Sequence, residues 1–173
     1  MTTNRRALIL FMTAACALAA VSVHAQEAVF TAKLDGASQV PDATKTRAEG
    51  TLQLKVSADG KQIAYTLSVT DLANVASAEL HLGPAHANGP LVVKLFPKAG
   101  GGPKKGPFSG VLAEGTIDAG DLTGPMLGGS LSDLVEQLRE GNAYTNIHTN
   151  DGVDPPNSGP GDYRLGEIRG QIK

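Results

Sequence analysis

The chain has 173 residues, 4% of them aromatic and none of them Trp, with 15 Lys and Arg against 17 Asp and Glu. That balance denies a phosphate backbone the basic footprint it needs. The scarcity of rings argues against base-stacking or sugar-stacking surfaces.

Residues 1–25 read as a secretory signal: Arg5 and Arg6, an apolar run from Ala7 to Ala20, then Val23-His24-Ala25 as a small-x-small cleavage site. The run is too short to span a bilayer, and no later stretch approaches that length. Cys16 lies inside it, but Thr13 stands where a lipid-attachment site wants Leu, and the polar residues expected after the cysteine are missing. Cleavage near Ala25 predicts a secreted or periplasmic protein of residues 26–173. Removing Arg5 and Arg6 leaves 15 − 2 = 13 bases against 17 acids, a charge of −4. Cleavage also removes the only cysteine, so no disulfide is available and the core alone must hold the domain.

Gly and Pro punctuate short alternating runs, the pattern of an all-β domain. Val29 to Leu34 is a first strand. Thr51 to Val56 and Ile63 to Val69 form a hairpin around Ala58-Asp59-Gly60, with Asp-Gly supplying positive φ. Strands follow at 76–82 and 91–96. Residues 97–107 form a Gly/Lys-rich loop, and 108–117 a further strand. Leu131, Leu134, Val135 and Leu138 recur at helical spacing, so 130–140 is one helix, capped by Ser130 or Ser132 and ended by Gly141. Residues 143–149 form a strand, 150–164 a turn-rich loop, and 165–172 closes the domain. Seven or eight short strands predict a sandwich or small barrel.

Leu34-Asp35-Gly36-Ala37-Ser38-Gln39-Val40-Pro41, the Tyr65 hairpin, Glu79-Leu80-His81-Leu82-Gly83 with Asn88-Gly89-Pro90-Leu91-Val92-Val93, Gly141 to Thr149, and Gly166-Glu167-Ile168-Arg169-Gly170-Gln171 occur in one order. Together they resemble the CHRD domain, named after chordin and also found in secreted bacterial proteins. The resemblance covers roughly 27–173. It implies an immunoglobulin-like β-sandwich or barrel, compared with the Cu/Zn superoxide dismutase fold, and no settled activity. By analogy with chordin it suggests a protein partner. The chain departs from the family in carrying Glu79 where His-x-His is usual, and in a longer loop between His148 and Gly166.

Side chains on a strand alternate between faces. Ala78, Leu80 and Leu82 oppose Glu79 and His81. Ile147 opposes Asn146 and His148, and Ile168 opposes Glu167 and Arg169. If these strands are neighbours, Glu79, Asn146, Glu167 and Arg169 form one polar patch with His81 and His148. One reading of it is a copper or zinc site using His81 and His148, since imidazoles and a carboxylate suit those metals. The other is a structural network in which each histidine bonds a carboxylate or Asn and Arg169 pairs with Glu167 or Glu79. A nearby Arg would oppose a cation.

No G-x-S-x-G or other nucleophile motif marks an enzyme, and no catalytic residue is assigned. Gly100 to Gly106 lacks the ending of a phosphate loop. Asp151, Asp154 and Asp162 match no calcium-loop spacing. The expected function is a non-enzymatic binding or structural module. The rival is a metal-binding or dismutase-like protein.

Overall fold

A computed structural model describes residues 27–173, so the signal reading of 1–25 lies outside the described residues. Among the described residues are seven strands and one α-helix: β1 (Val29–Asp35), β2 (Glu49–Val56), β3 (Ile63–Leu82), β4 (Leu91–Phe96), β5 (Lys104–Ile117), α1 (Leu131–Arg139), β6 (Ala143–Thr149) and β7 (Ile168–Gln171), with two short 3-10 turns between β5 and α1. The domain is therefore mostly strand with one short helix, as its alternating pattern predicts.

The sheet runs β2-β1-β7-β6-β3-β4, with β3 also pairing β2 and β5. The path β2-β1-β7-β6-β3 thus returns to β2 and closes a barrel, which leaves no free edge along that ring. Every pairing is antiparallel.

β3 makes closure possible. Its first half pairs β2 and β5, and its second half pairs β6 and β4. The strands expected separately at 63–69 and 76–82 are one 20-residue strand. Its register breaks between Val69 and Leu72 and again between Ala73 and Val75. Asp71 and Asn74 both take φ of 51° there, a region that Asp and Asn enter more readily than other non-glycine residues. The Asn74 carboxamide secures the bend, accepting from Gly106 N at 2.9 Å and donating to Gly161 O at 3.3 Å.

Period-two alternation fills the interior. Leu52, Leu54, Ile63, Leu67, Val75, Ala78, Leu80, Ile147 and Ile168 are all buried. α1 packs Leu131, Leu134, Val135 and Leu138 on this core. Ser130 and Asp133 cap it reciprocally, and Gly141 at φ 67° ends it. The first hairpin is looser than a two-residue turn. Ser57 N donates to Gln62 O at 2.8 Å, and only Gly60 among the turn residues has positive φ.

Candidate metal centre

The three strands that carry the polar residues are adjacent, in the order β3-β6-β7. Glu79 stands opposite Asn146, which stands opposite Arg169. His81 stands opposite Tyr144, and Ser77 opposite His148. All lie on the face away from the barrel interior. That face is not bare, because segments 36–48, 83–90 and 150–167 cross it. Tyr144 and Asn146 are buried as a result.

Glu79, His81 and His148 converge. His81 Nε2 lies 3.5 Å from Glu79 Oε2, and His148 Nε2 lies 3.4 Å from the same oxygen. All three donor atoms fall within 4.8 Å of one another. Among the described residues no other group of three or more His, Cys, Asp and Glu comes together in this way. The side chains are 14–19% exposed.

The other nitrogen of each ring settles the proton. His81 Nδ1 lies 3.0 Å from Gly89 O, and His148 Nδ1 lies 3.0 Å from Arg164 O. A carbonyl oxygen only accepts, so each Nδ1 donates and each neutral ring presents a bare lone pair at Nε2. Both Nε2 atoms are buried without a hydrogen-bond partner. Three acceptors therefore face one point, an arrangement that repels itself unless a cation sits among them.

A proton is one such cation. Burial works to raise the Glu79 carboxyl, yet the adjacent His148 and His81 rings outweigh it and hold that carboxyl well below the usual range. Burial works to lower His148, but the Glu79 carboxylate and the Arg164 carbonyl leave it raised. A metal ion is the other. Bonds of about 2.0–2.2 Å at a tetrahedral angle set neighbouring ligands roughly 3.3–3.6 Å apart. The two Glu79 contacts match that edge, so the donor set fits zinc or copper.

The centre adjoins a cleft. Glu79 and His148 line a cleft of about 320 Å³ together with Ser77, Asn150 and Arg164. A larger groove, about 380 Å³, lies on β1, β2 and β3 among Lys33, Thr51 and Ser68 and holds no histidine. The histidine cleft matters more here, because chemistry and not size distinguishes a site.

The remaining patch residues go elsewhere. Glu167 precedes β7 and turns away from the histidines, accepting from Thr46 Oγ1 (2.6 Å), Thr149 Oγ1 (2.7 Å) and Gly161 N (2.8 Å). Arg169 pairs with neither Glu167 nor Glu79. It donates to Asn88 Oδ1, Pro84 O and Ala87 O at 2.8–3.1 Å and lies 3.6 Å over the Tyr144 ring. The guanidinium is thus held by the 83–90 loop and the Tyr144 ring and makes no ion pair with Glu79. Asn146 accepts from Gln39 Nε2 at 2.7 Å and donates to Leu165 O at 3.4 Å.

Asp151, Asp154 and Asp162 serve local turns. Asp151 accepts from Val153 N, Asp154 pairs with Arg164, and Asp162 accepts from Ser158. His86 is exposed in the 83–90 loop, outside the cluster. Sequence reasoning missed the Gly89 and Arg164 carbonyls, because backbone acceptors carry no residue signature. It also missed Tyr144, whose ring stacks on His81 at 5.0 Å. Tyr144 shares the parity of Asn146 and His148, and that signal could have found it.

The CHRD domain family profile matches residues 30–156. That is most of the chain, and the protein belongs to the CHRD domain family. The match stops short of β7, although β7 fills the sheet between β1 and β6 and Lys173 exchanges backbone hydrogen bonds with Thr31. No curated protein matches the chain, and no solved structure does. No helix among the described residues is long and apolar enough to cross a membrane.

Proposed function

We propose that this CHRD domain is a secreted, non-enzymatic binding module that holds one zinc or copper ion through Glu79 Oε2, His81 Nε2 and His148 Nε2. The observation that carries the reading is the pair of buried, unpartnered Nε2 atoms aimed at one carboxylate oxygen at tetrahedral-edge distance. Backbone carbonyls behind both rings supply the support that metal-binding imidazoles ordinarily have. Secretion rests on the apolar segment and cleavage pattern of residues 1–25. Two nitrogens and one oxygen, without sulfur, suit either metal, and copper binds such a set more tightly where it is available.

Three protein ligands would leave a four-coordinate ion one open position, and two of the three, Glu79 and His148, line the cleft beside Ser77 and Asn150. Water or a partner's side chain would complete it, which is how a binding module would use its metal. Elemental analysis of the purified protein after equilibration with zinc or copper tests the reading. Near-stoichiometric metal in the native protein, lost in His81→Ala and His148→Ala, is the expected result. Metal absent from the native protein, or retained by both variants, overturns it.

A further inference from the structure

Arg169 is 1% exposed, and no carboxylate among the described residues lies within ion-pair distance of it. Burying an unpaired cation is costly unless other groups satisfy it. All of its side-chain hydrogen bonds run to the loop between β3 and β4, at Pro84, Ala87 and Asn88. Residues 84–88 are exposed and contribute nothing to the core, so polar ties hold the loop: besides Arg169, Gly83 N donates to Asn142 O, Gln171 Nε2 to Gly83 O and Asn88 Nδ2 to Val40 O. Its tie to β6 is the Tyr144 hydroxyl, which accepts from Gly89 N at 3.0 Å and donates to Gly89 O at 3.4 Å.

The same loop ends on the atom that orients a metal ligand. Gly89 O accepts a hydrogen bond from His81 Nδ1. Tyr144 lies at the centre of the arrangement, with His81 stacked on its ring 11° from parallel and the Arg169 guanidinium over the ring from β7. Each contact leads to the next: Arg169 anchors the loop, the loop places the Gly89 carbonyl, and the carbonyl fixes which nitrogen of His81 is free. His148 depends on a different loop, through Arg164 O.

We propose that Arg169, acting with Tyr144, is a positioning residue for the metal centre: it clamps the 83–90 loop so that Gly89 O holds His81 in the tautomer whose Nε2 faces Glu79. The link to metal rests on reading Glu79, His81 and His148 as a metal site. The clamp itself does not, and can be tested without an ion.

The test uses Arg169→Met, Arg169→Lys and Asn88→Ala. Asn88→Ala removes the clamp's exposed partner and leaves the core intact, so it serves if Arg169→Met does not fold. Long-range proton–nitrogen NMR of the metal-free proteins at alkaline pH reads the tautomers. Zinc affinity is read by competition with a chelator. The expected result is a single Nδ1–H tautomer for His81 in the native protein and a mixture in Arg169→Met and Asn88→Ala, with His148 unchanged in all. Zinc affinity falls about tenfold or more in the same two variants, the usual effect of removing support behind a ligand, and Arg169→Lys recovers part of it.

An unmixed His81 tautomer in both folded variants overturns the clamp. If the native protein retains no zinc, the metal reading falls and the tautomer result alone decides the clamp. If zinc affinity is unchanged while the tautomers mix, the clamp stands and its role in metal binding is overturned.

Discussion

Glu79 and His148 meet diagonally across the β3–β6 pairing. Glu79 is the register partner of Asn146 and His148 that of Ser77, yet carboxylate and imidazole close to 3.4 Å. The diagonal places both histidines on one oxygen, because His81 reaches it along β3 from the other side. Replacing the carboxylate should therefore remove the centre more completely than its position on one strand suggests. Glu79→Gln keeps the shape and deletes the charge. Zinc or copper affinity is expected to fall by at least tenfold, with the folded circular dichroism spectrum retained. Unchanged affinity would place the metal elsewhere.

The metal-free protein should show a stability maximum at mildly acidic pH. Glu79 is depressed in the folded state, so its contribution is present above about 4.5 and lost as pH falls toward its folded value. His148 is raised, so its contribution is full below 6.5 and lost as pH rises through its folded value. Between 4.5 and 6.5 both contributions are largely present. Their sum is on the order of 2 kcal/mol for one buried pair. Urea midpoints measured across pH should fall on both sides of that window and flatten in Glu79→Gln. Saturating zinc should reverse the alkaline limb, because metal competes with protons for the same lone pairs.

Glu167 is fully buried and accepts three hydrogen bonds from Thr46, Thr149 and Gly161. Those donors tie the segment before β2, the end of β6 and the 150–167 loop to one side chain. An amide there turns its NH2 toward a donor, so Glu167→Gln should cost about 2 kcal/mol. Zinc affinity at pH 7 should stay within about twofold of native, because none of the three partners hydrogen-bonds to Glu79, His81 or His148. A stable Glu167→Gln protein that had lost its metal would show that Glu79 and Glu167 act together.

Strand periodicity made the barrel's interior legible. Leu52, Leu54, Leu80 and Ile147 are buried where alternation puts them, and the helical stripe at Leu131, Leu134, Val135 and Leu138 packs as its spacing demands. Asp71 and Asn74 hid the continuity of β3, since two polar residues between apolar runs read as a break and not as a bend inside one strand. In the site, parity placed Glu79, His81 and His148 on one face. It misplaced Glu167, which lies outside β7 where alternation no longer holds. It also paired Arg169 with acids, because charge complementarity is visible in a sequence and the Pro84 and Ala87 carbonyls are not.

Gly89 is a position where only hydrogen fits. A Cβ there would collide with Leu82 O, a backbone atom that no rotamer change can move. Gly89→Ala must lift the loop from the end of β3, separating Gly89 O from His81 and Gly89 N from Tyr144. The expected loss is about 2–4 kcal/mol in urea unfolding, in the range of strained or unsatisfied buried backbone. Gly102→Ala is the matched control: a Cβ there meets nothing within 4 Å, so its effect should stay within about 0.5 kcal/mol. If Gly89→Ala matched Gly102→Ala, the loop would be free to shift at no cost, and the Gly89 carbonyl would not be what orients His81.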